Sequence, residues 1–312
     1  MLQPPSHGLR VSTTTHNCDA DAVLDWLEAS VLFDEPRVSK TDVVDALMEE
    51  QTYRQQEFAH AFVETLWSSL LARRDQAGAA YPFEVTRTHV RLRTRWQDAV
   101  FFAFCLVASA RRLYSQAAAV TTGVFNDQGQ LFEELVGQAY TGLGFSIHHV
   151  GWSRKHRATI ETRISDLATA LNELMSDGAT KRWLSRDAKD AGTDLVAWLP
   201  LNDGRGARPV LLVQCASGTN WSQKLTQPDL ETWKKLIEFS SSPRRAIAIP
   251  FALTYDSIRT ACHRDGNILV TDRNRLAVGC ARVSTTPEAV ALTGRLAEWI
   301  EPTLAQVVRR AM

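Results

Sequence analysis

The chain has 312 residues, 45% of them hydrophobic, and balances 35 Lys/Arg against 35 Asp/Glu, the composition of a soluble globular protein with one large domain or two ordinary ones. Zero formal net charge advertises no nucleic-acid partner globally, and no apolar run approaches a membrane span, so no membrane partner is expected. Five scattered cysteines without CxxC spacing argue against a disulfide scaffold or structural zinc. With no basic-then-apolar leader, they point to a reducing cytoplasm.

In chain order, residues 1–17 are rich in Pro, Ser, Thr and His and read as poorly ordered. Helices are expected over 19–32 and 41–75, the second with Ser39 or Thr41 as its cap and an apolar stripe through Phe58, Phe62, Leu66 and Leu70. Residues 81–96 alternate partly and predict an extended or hairpin segment, followed by an apolar helix over 98–116. The stretch 121–129 is the best linker candidate, so a mainly helical accessory domain is expected over 1–120 and a second domain over 121–312. That second part predicts a helix over 129–142, a strand over 144–150 and an amphipathic helix over 159–176. Two strands over 193–199 and 209–216 follow, with a hairpin signal at Asp203-Gly204. A helix over 229–240, strands over 245–251, 267–271 and 276–283, and a terminal helix from 287 complete an α/β pattern, a mixed sheet flanked by helices.

Charge is uneven along this order. Residues 19–64 are acid-rich, from Asp19, Asp21, Asp25 and Glu28 through Glu49 and Glu50, whereas basic clusters lie at 87–95, 154–157, 181–186 and 244–245. Such local faces either bind phosphate or are ordinary solvated surface.

The residues that suggest chemistry are Glu133 on the helix, Asp194 entering one strand and Gln214 near the end of the next. Gln214 follows Val210-Leu-Leu-Val213, a run that reads as buried on both faces, so its amide needs partners or a metal. Two carboxylates and an amide oxygen can hold a hard cation such as Mg²⁺ or Mn²⁺, which takes oxygen ligands and supports phosphoryl chemistry. His148-His149 alternates across a strand and sends at most one ring into a site. Asp272-Arg273 reads as a fold-stabilising ion pair or a phosphate contact. No P-loop, dinucleotide-binding or GxSxG pattern is present.

Phe132-Glu133 with Gly144-Phe145, then Gly192-Thr-Asp194, then Gln214-Cys-Ala216, arrive in the order of the PD-(D/E)xK nuclease superfamily, and the chain resembles its Mrr-like variants, which carry Gln in the second acidic position. The resemblance covers roughly 128–251 and implies a restriction-endonuclease-like fold and a Mg²⁺- or Mn²⁺-dependent endonuclease acting on DNA. It implies a role in restriction or anti-phage defence. On it, Asp194 bridges metal and phosphate, Gln214 and the main-chain carbonyl of Cys215 add ligands, and Glu133 anchors the metal or orients water. The family's lysine position is Ala216 here, so Lys224 is the expected replacement, with Lys234 and Lys235 behind it. A catalytically degenerate nucleic-acid-binding module, or a subunit of a larger defence complex, is the alternative. Trp221 is expected either to stack on a base or to join the core. The accessory part would recognise DNA, form a homodimer or bind a partner protein, its acid-rich helices favouring protein contacts.

Overall fold

A computed structural model describes residues 1–2, 4, 19–113, 125–151, 159–184, 191–218, 220–264 and 268–310. The first part begins with α1 (Ala20–Phe33), capped by Asp19, whose side chain accepts from the Asp21 and Ala22 amides. A short strand β1 (Arg37–Ser39) leads into α2 (Lys40–Glu49), where Ser39 and Asp42 cap each other's amides. The single helix expected over 41–75 is broken: α2 stops before Gln51, which adopts a positive φ of 53°, and α3 restarts at Gln56–Ala77. The segment expected as a hairpin is one, β2 (Phe83–Val85) and β3 (His89–Leu92), and β1 joins it in a three-stranded antiparallel sheet of order β1-β3-β2. The apolar helix α4 follows at Val100–Leu113.

The second part is a mixed five-stranded sheet of order β10-β9-β7-β6-β4, flanked by helices. Helix α5 (Phe125–Gly142) precedes β4 (Ser146–His149); α6 (Ile160–Leu171), β5 (Leu174–Met175) and α7 (Ala179–Trp183) intervene before β6 (Leu195–Trp198) and β7 (Val210–Cys215). The strands β4, β6 and β7 run as an antiparallel meander, Leu195 opposite both His149 and Val213. Helix α8 (Leu230–Leu236) and β8 (Ile237–Glu238) then cross to β9 (Arg244–Ala248), parallel to β7, and α9 (Tyr255–Arg264) crosses to β10 (Leu269–Thr271), parallel to β9. Three boundaries move. Helix α5 begins inside the expected linker, at Phe125. Helix α6 ends at Leu171 on a left-handed Asn172, and α8 at Leu236, which frees Leu174–Met175 and Ile237–Glu238 to pair. The strand expected over 276–283 is instead the helix α10 (Arg273–Val283). Its Asp272 side chain caps the Arg275 amide, and burial of Arg273, Leu276, Ala277 and Cys280 follows the helical period rather than alternation. The last helix, α11 (Pro287–Arg310), is as expected.

Period-two burial divides the sheet's side chains. Leu195, Ala197, Val213, Ala246 and Ala248 pack towards α5 in the main core, whereas Val196, Trp198, Val210 and Leu212 pack with α6 and α8. Ile247 and Val270 join a third cluster. The main core contains both parts of the chain: Trp26, Phe62, Phe83 and Phe104 lie in one cluster with Phe132, Leu276 and Trp299, and the Phe104 and Trp299 rings stand 4.8 Å apart. The boundary expected near residue 120 falls among residues outside those described, and the apolar core is continuous across it.

Two further devices join the parts. Arg73 and Arg273 meet Asp25 and Glu28 in a buried network: Arg73 lies 3.1 Å from Asp25 and 3.0 Å from Glu28, and Arg273 lies 2.5 and 2.6 Å from the same carboxylates. Tyr81 donates to Glu28 at 2.7 Å. Burial alone would lower the pKa of Arg73, but Glu28, Asp25 and Asp21 outweigh it and hold the guanidinium above its ordinary value. The acid-rich stretch is thus partly internal, and Asp272-Arg273 serves the fold, each residue with other partners. Secondly, α5 and α10 touch backbone to backbone. A Cβ on Gly142 would stand 1.9 Å from the Gly279 carbonyl oxygen, and one on Gly279 would stand 2.3 Å from that of Ala139. Gly279→Ala gains about 1 kcal/mol of helix propensity but forces the helices apart at a cost of about 1–3 kcal/mol or more, so we expect a net loss of stability in urea unfolding.

Candidate functional site

The meander brings the ends of β6 and β7 together. The Asp194 amide donates to the Val213 carbonyl at 3.0 Å, and the Asp194 carbonyl accepts from the Val150 and Gly151 amides at 2.9 Å each. The carboxylate is thereby fixed by its own main chain at the mouth of the sheet, 6% exposed. Behind it, Ala191 and Gly192 both take positive φ, and Trp233 of α8 donates to the Ala191 carbonyl at 3.1 Å, which pins the turn. Asp194 Oδ2 accepts from Gln214 Nε2 at 2.5 Å and from the Cys215 amide at 2.6 Å. Asp194 Oδ1 faces Gly151, where any side chain would crowd it at 3.2 Å.

Glu133 and Lys224 belong to the same neighbourhood. Burial, then the Asp194 and Glu133 carboxylates, push the Cys215 thiol well above its ordinary range, while the Lys224 ammonium pulls it back. Cys215 is therefore a point at which all three charges are felt. Glu133 is half-buried on α5, which lies across β4, β6 and β7. Its neighbour Glu134 is turned away to Arg295 of α11, Oε1 at 2.9 Å from Nη1. One helical turn on, Gly137 lies against His149, whose Nε2 stands 3.3 Å from where a Cβ would be, so His149 is the member of the histidine pair on the α5 side. Lys224 ends a single 3-10 turn, Trp221–Lys224, and is half-buried rather than an exposed surface lysine.

Other expected residues sit elsewhere. Lys234 pairs with Glu231 at 2.9 Å and Lys235 lies 4.1 Å over the Trp183 ring, so neither is directed at Asp194. Trp221 is half-buried against the cluster of Ile249, Phe251 and Leu253, the core outcome. Ala216 is 1% exposed in that cluster, and a lysine would not fit there without displacing it. The basic cluster at 154–157 lies outside the described residues. Two contributors were not anticipated. Arg163 of α6 donates through Nη1 to the carbonyls of Val150 and Gly151, bracing the segment that backs Asp194, and Gly151 leaves room for the carboxylate. A glycine just past a predicted strand was the one available signal; nothing in the helix sequence marks Arg163.

Among the described residues, no three His, Cys, Asp or Glu side chains gather at metal-holding distance. The donor set is mixed instead: one carboxylate, one amide and main chain, with Glu133 nearby. Gln214 presents its NH₂ to Asp194, and its amide turned end for end would present Oε1; two oxygens in contact there need a cation between them. The Cys215 carbonyl lies on the same side of β7 as its amide, the Asp194 side. A hard divalent cation would be held there by Asp194, the turned Gln214 amide and the Cys215 carbonyl, with Glu133 behind. No helix among the described residues is long and apolar enough to cross a membrane. No protein-family model, curated protein or solved structure matches this chain.

Proposed function

We propose that the chain is a metal-dependent endonuclease that hydrolyses DNA phosphodiester bonds on a restriction-endonuclease-like core, with its first 120 residues as an accessory part. The observation that carries this reading is the 2.5 Å contact between Gln214 and Asp194 at the joined ends of two antiparallel strands. Beside it, one carboxylate and one ammonium act on the residue between Gln214 and Ala216. The strand order supports the same reading: an antiparallel meander carries Asp194 and Gln214, and a helical crossover returns to a parallel strand. A divalent cation bound there would activate a water and neutralise charge on the phosphate. The protein's own groups would do the rest. Asp194 would hold its oxygens rigidly towards the scissile phosphate, Glu133 would orient the incoming water from the helix side, and Lys224 would donate to a phosphate oxygen as charge develops. Restriction or anti-phage defence rests on the family resemblance alone.

The test is cleavage of supercoiled plasmid DNA with Mg²⁺ or Mn²⁺, with an EDTA control. Cutting that EDTA abolishes is the expected result. Lys224→Ala should lower it by about 10²-fold, in line with the loss of one charge-stabilising donor. Full activity in that variant would remove Lys224 from the mechanism. The burial of Ala216 at the lysine position favours a second reading, a degenerate fold that binds nucleic acid or serves a larger complex; binding of DNA without cutting in either metal would decide for it.

A further inference from the structure

The sheet of the accessory part buries Val38, Phe83, Val85 and Val90 and turns Arg37, Glu84, His89 and Arg91 outward. In register, Arg37 of β1 stands directly opposite Arg91 of β3, with Glu84 of β2 on the far side of Arg91. Like charges directly opposite across an antiparallel pair destabilise a sheet. Only Arg91 is relieved, by Glu84 at 2.5 Å. Arg87 and Arg95 are exposed in the turns at either end of β3, and Arg93 crosses to the carbonyls of Ala79 and Tyr81. Among the described residues, Arg37, Arg87 and Arg95 are in no ion pair. Asp34 and Glu35, the nearest acids before β1, lie against the Met1 ammonium at 3.3 and 2.9 Å.

Part of the acid-rich character of this part is internal, while Asp42, Asp45, Glu49, Glu57 and Glu64 stay exposed on and between its helices, away from the sheet strands. Asp25 and Glu28 are fully buried with Arg73 and Arg273, and Asp19 and Asp42 cap helices. What the sheet shows to solvent is Arg37 beside the Arg91–Glu84 pair, with Arg87 and Arg95 exposed at the ends of β3, and the facing Arg37–Arg91 pair is kept at some expense in stability. Every cation in the cluster is arginine, the side chain whose planar fork matches a phosphate in bidentate fashion.

We infer that the outer face of this three-stranded sheet binds the phosphate backbone of duplex DNA, with Arg37 and Arg91 at its centre and Arg87 and Arg95 at its rim. The choice of DNA among polyanions rests on the cleavage reading. The inference moves the expected role of the accessory part from protein contacts to nucleic acid.

The test uses the full chain and a short fluorescein-labelled DNA duplex in EDTA, followed by anisotropy between about 50 and 200 mM salt. Arg37→Gln/Arg91→Gln should weaken binding about tenfold and reduce the slope of log K against log salt by about 2, since each phosphate contact contributes about 0.9. Its Tm should be held, because the removed Arg37–Arg91 repulsion offsets the loss of the exposed Arg91–Glu84 pair. Arg37→Glu creates an attractive row in place of a repulsive one, so it should raise Tm and still lose DNA. Unchanged affinity and salt slope in the double variant would overturn the inference. So would a wild-type chain that binds phosphatidylserine vesicles but not duplex. EDTA separates this outcome from catalysis: a chain that never cuts but shows arginine-dependent binding leaves this surface standing.

Discussion

Asp194→Asn is expected to reduce DNA cleavage by at least about 10²–10³-fold while the protein remains folded. The substitution keeps the shape of the side chain and one acceptor for the Gln214 and Cys215 donors, now at 2.5 and 2.6 Å, but removes the negative charge. Weakening two charge-assisted hydrogen bonds costs about 1.5–3 kcal/mol, a measurable fall in Tm that leaves most molecules native. A second readout needs neither metal nor substrate. Burial first, and the Asp194 carboxylate second, raise the Cys215 thiol, so neutralising Asp194 is expected to lower that thiol and to shift the pH dependence of native-state alkylation by iodoacetamide downward, followed by peptide mass spectrometry. A downward shift with loss of cleavage identifies an electrostatic role. Cleavage that survives while the pH dependence shifts shows Asp194 to be a turn residue that merely neighbours Cys215, and the hydrolytic reading fails with it.

Arg273→Met should be the most damaging substitution for stability, at about 3–5 kcal/mol, because it leaves Asp25 and Glu28 fully buried with Arg73 as their remaining guanidinium partner. Against a total of about 5–15 kcal/mol for a typical chain, that is a large fraction. Methionine fills much of the volume over the Phe102 ring, which Arg273 faces at 5.1 Å, so the loss reports on charge rather than on a cavity. Adding Glu28→Gln should recover part of it by removing the orphaned charge, although Tyr81 then loses its carboxylate acceptor. Urea unfolding curves of the wild type, single and double variants give the coupling directly. A single-variant cost below about 1 kcal/mol would mean that water or other groups already satisfy these carboxylates.

The legible elements were those with strong local signals. Phe83-Glu-Val and His89-Val-Arg-Leu alternate, Asp203-Gly204 marks the β6–β7 connection, and the placement of Asp194 beside Gln214 followed from pairing the flanking runs. Residues 276–283 failed because Leu-Ala-Val-Gly-Cys-Ala-Arg-Val fits either period, and the deciding contacts come from α5, more than a hundred residues away, through Gly142 and Ala139. The broken helix at 50–55 depends on the left-handed Gln51, a conformation that its residue type does not advertise. Glu133 and Lys224 were expected from the sequence and both act on Cys215, but the brace from Arg163 was not, because a lone arginine on an amphipathic helix reads as solvated surface. The acidic stretch misled for the same reason: burial of Asp25 and Glu28 requires Arg273, whose position no local pattern reveals.

The shared core has a consequence for how this protein can be divided. Severing the chain between α4 and α5 would strip Phe104 of the Trp299 ring and leave Arg273 without Asp25 and Glu28, so neither fragment would keep a closed interior. The arginine-bearing sheet and the Asp194 turn are therefore inherited together. Swapping one half between homologues, or fusing the second half to a foreign module, would succeed only if the matching helices α1 and α3 travelled with it.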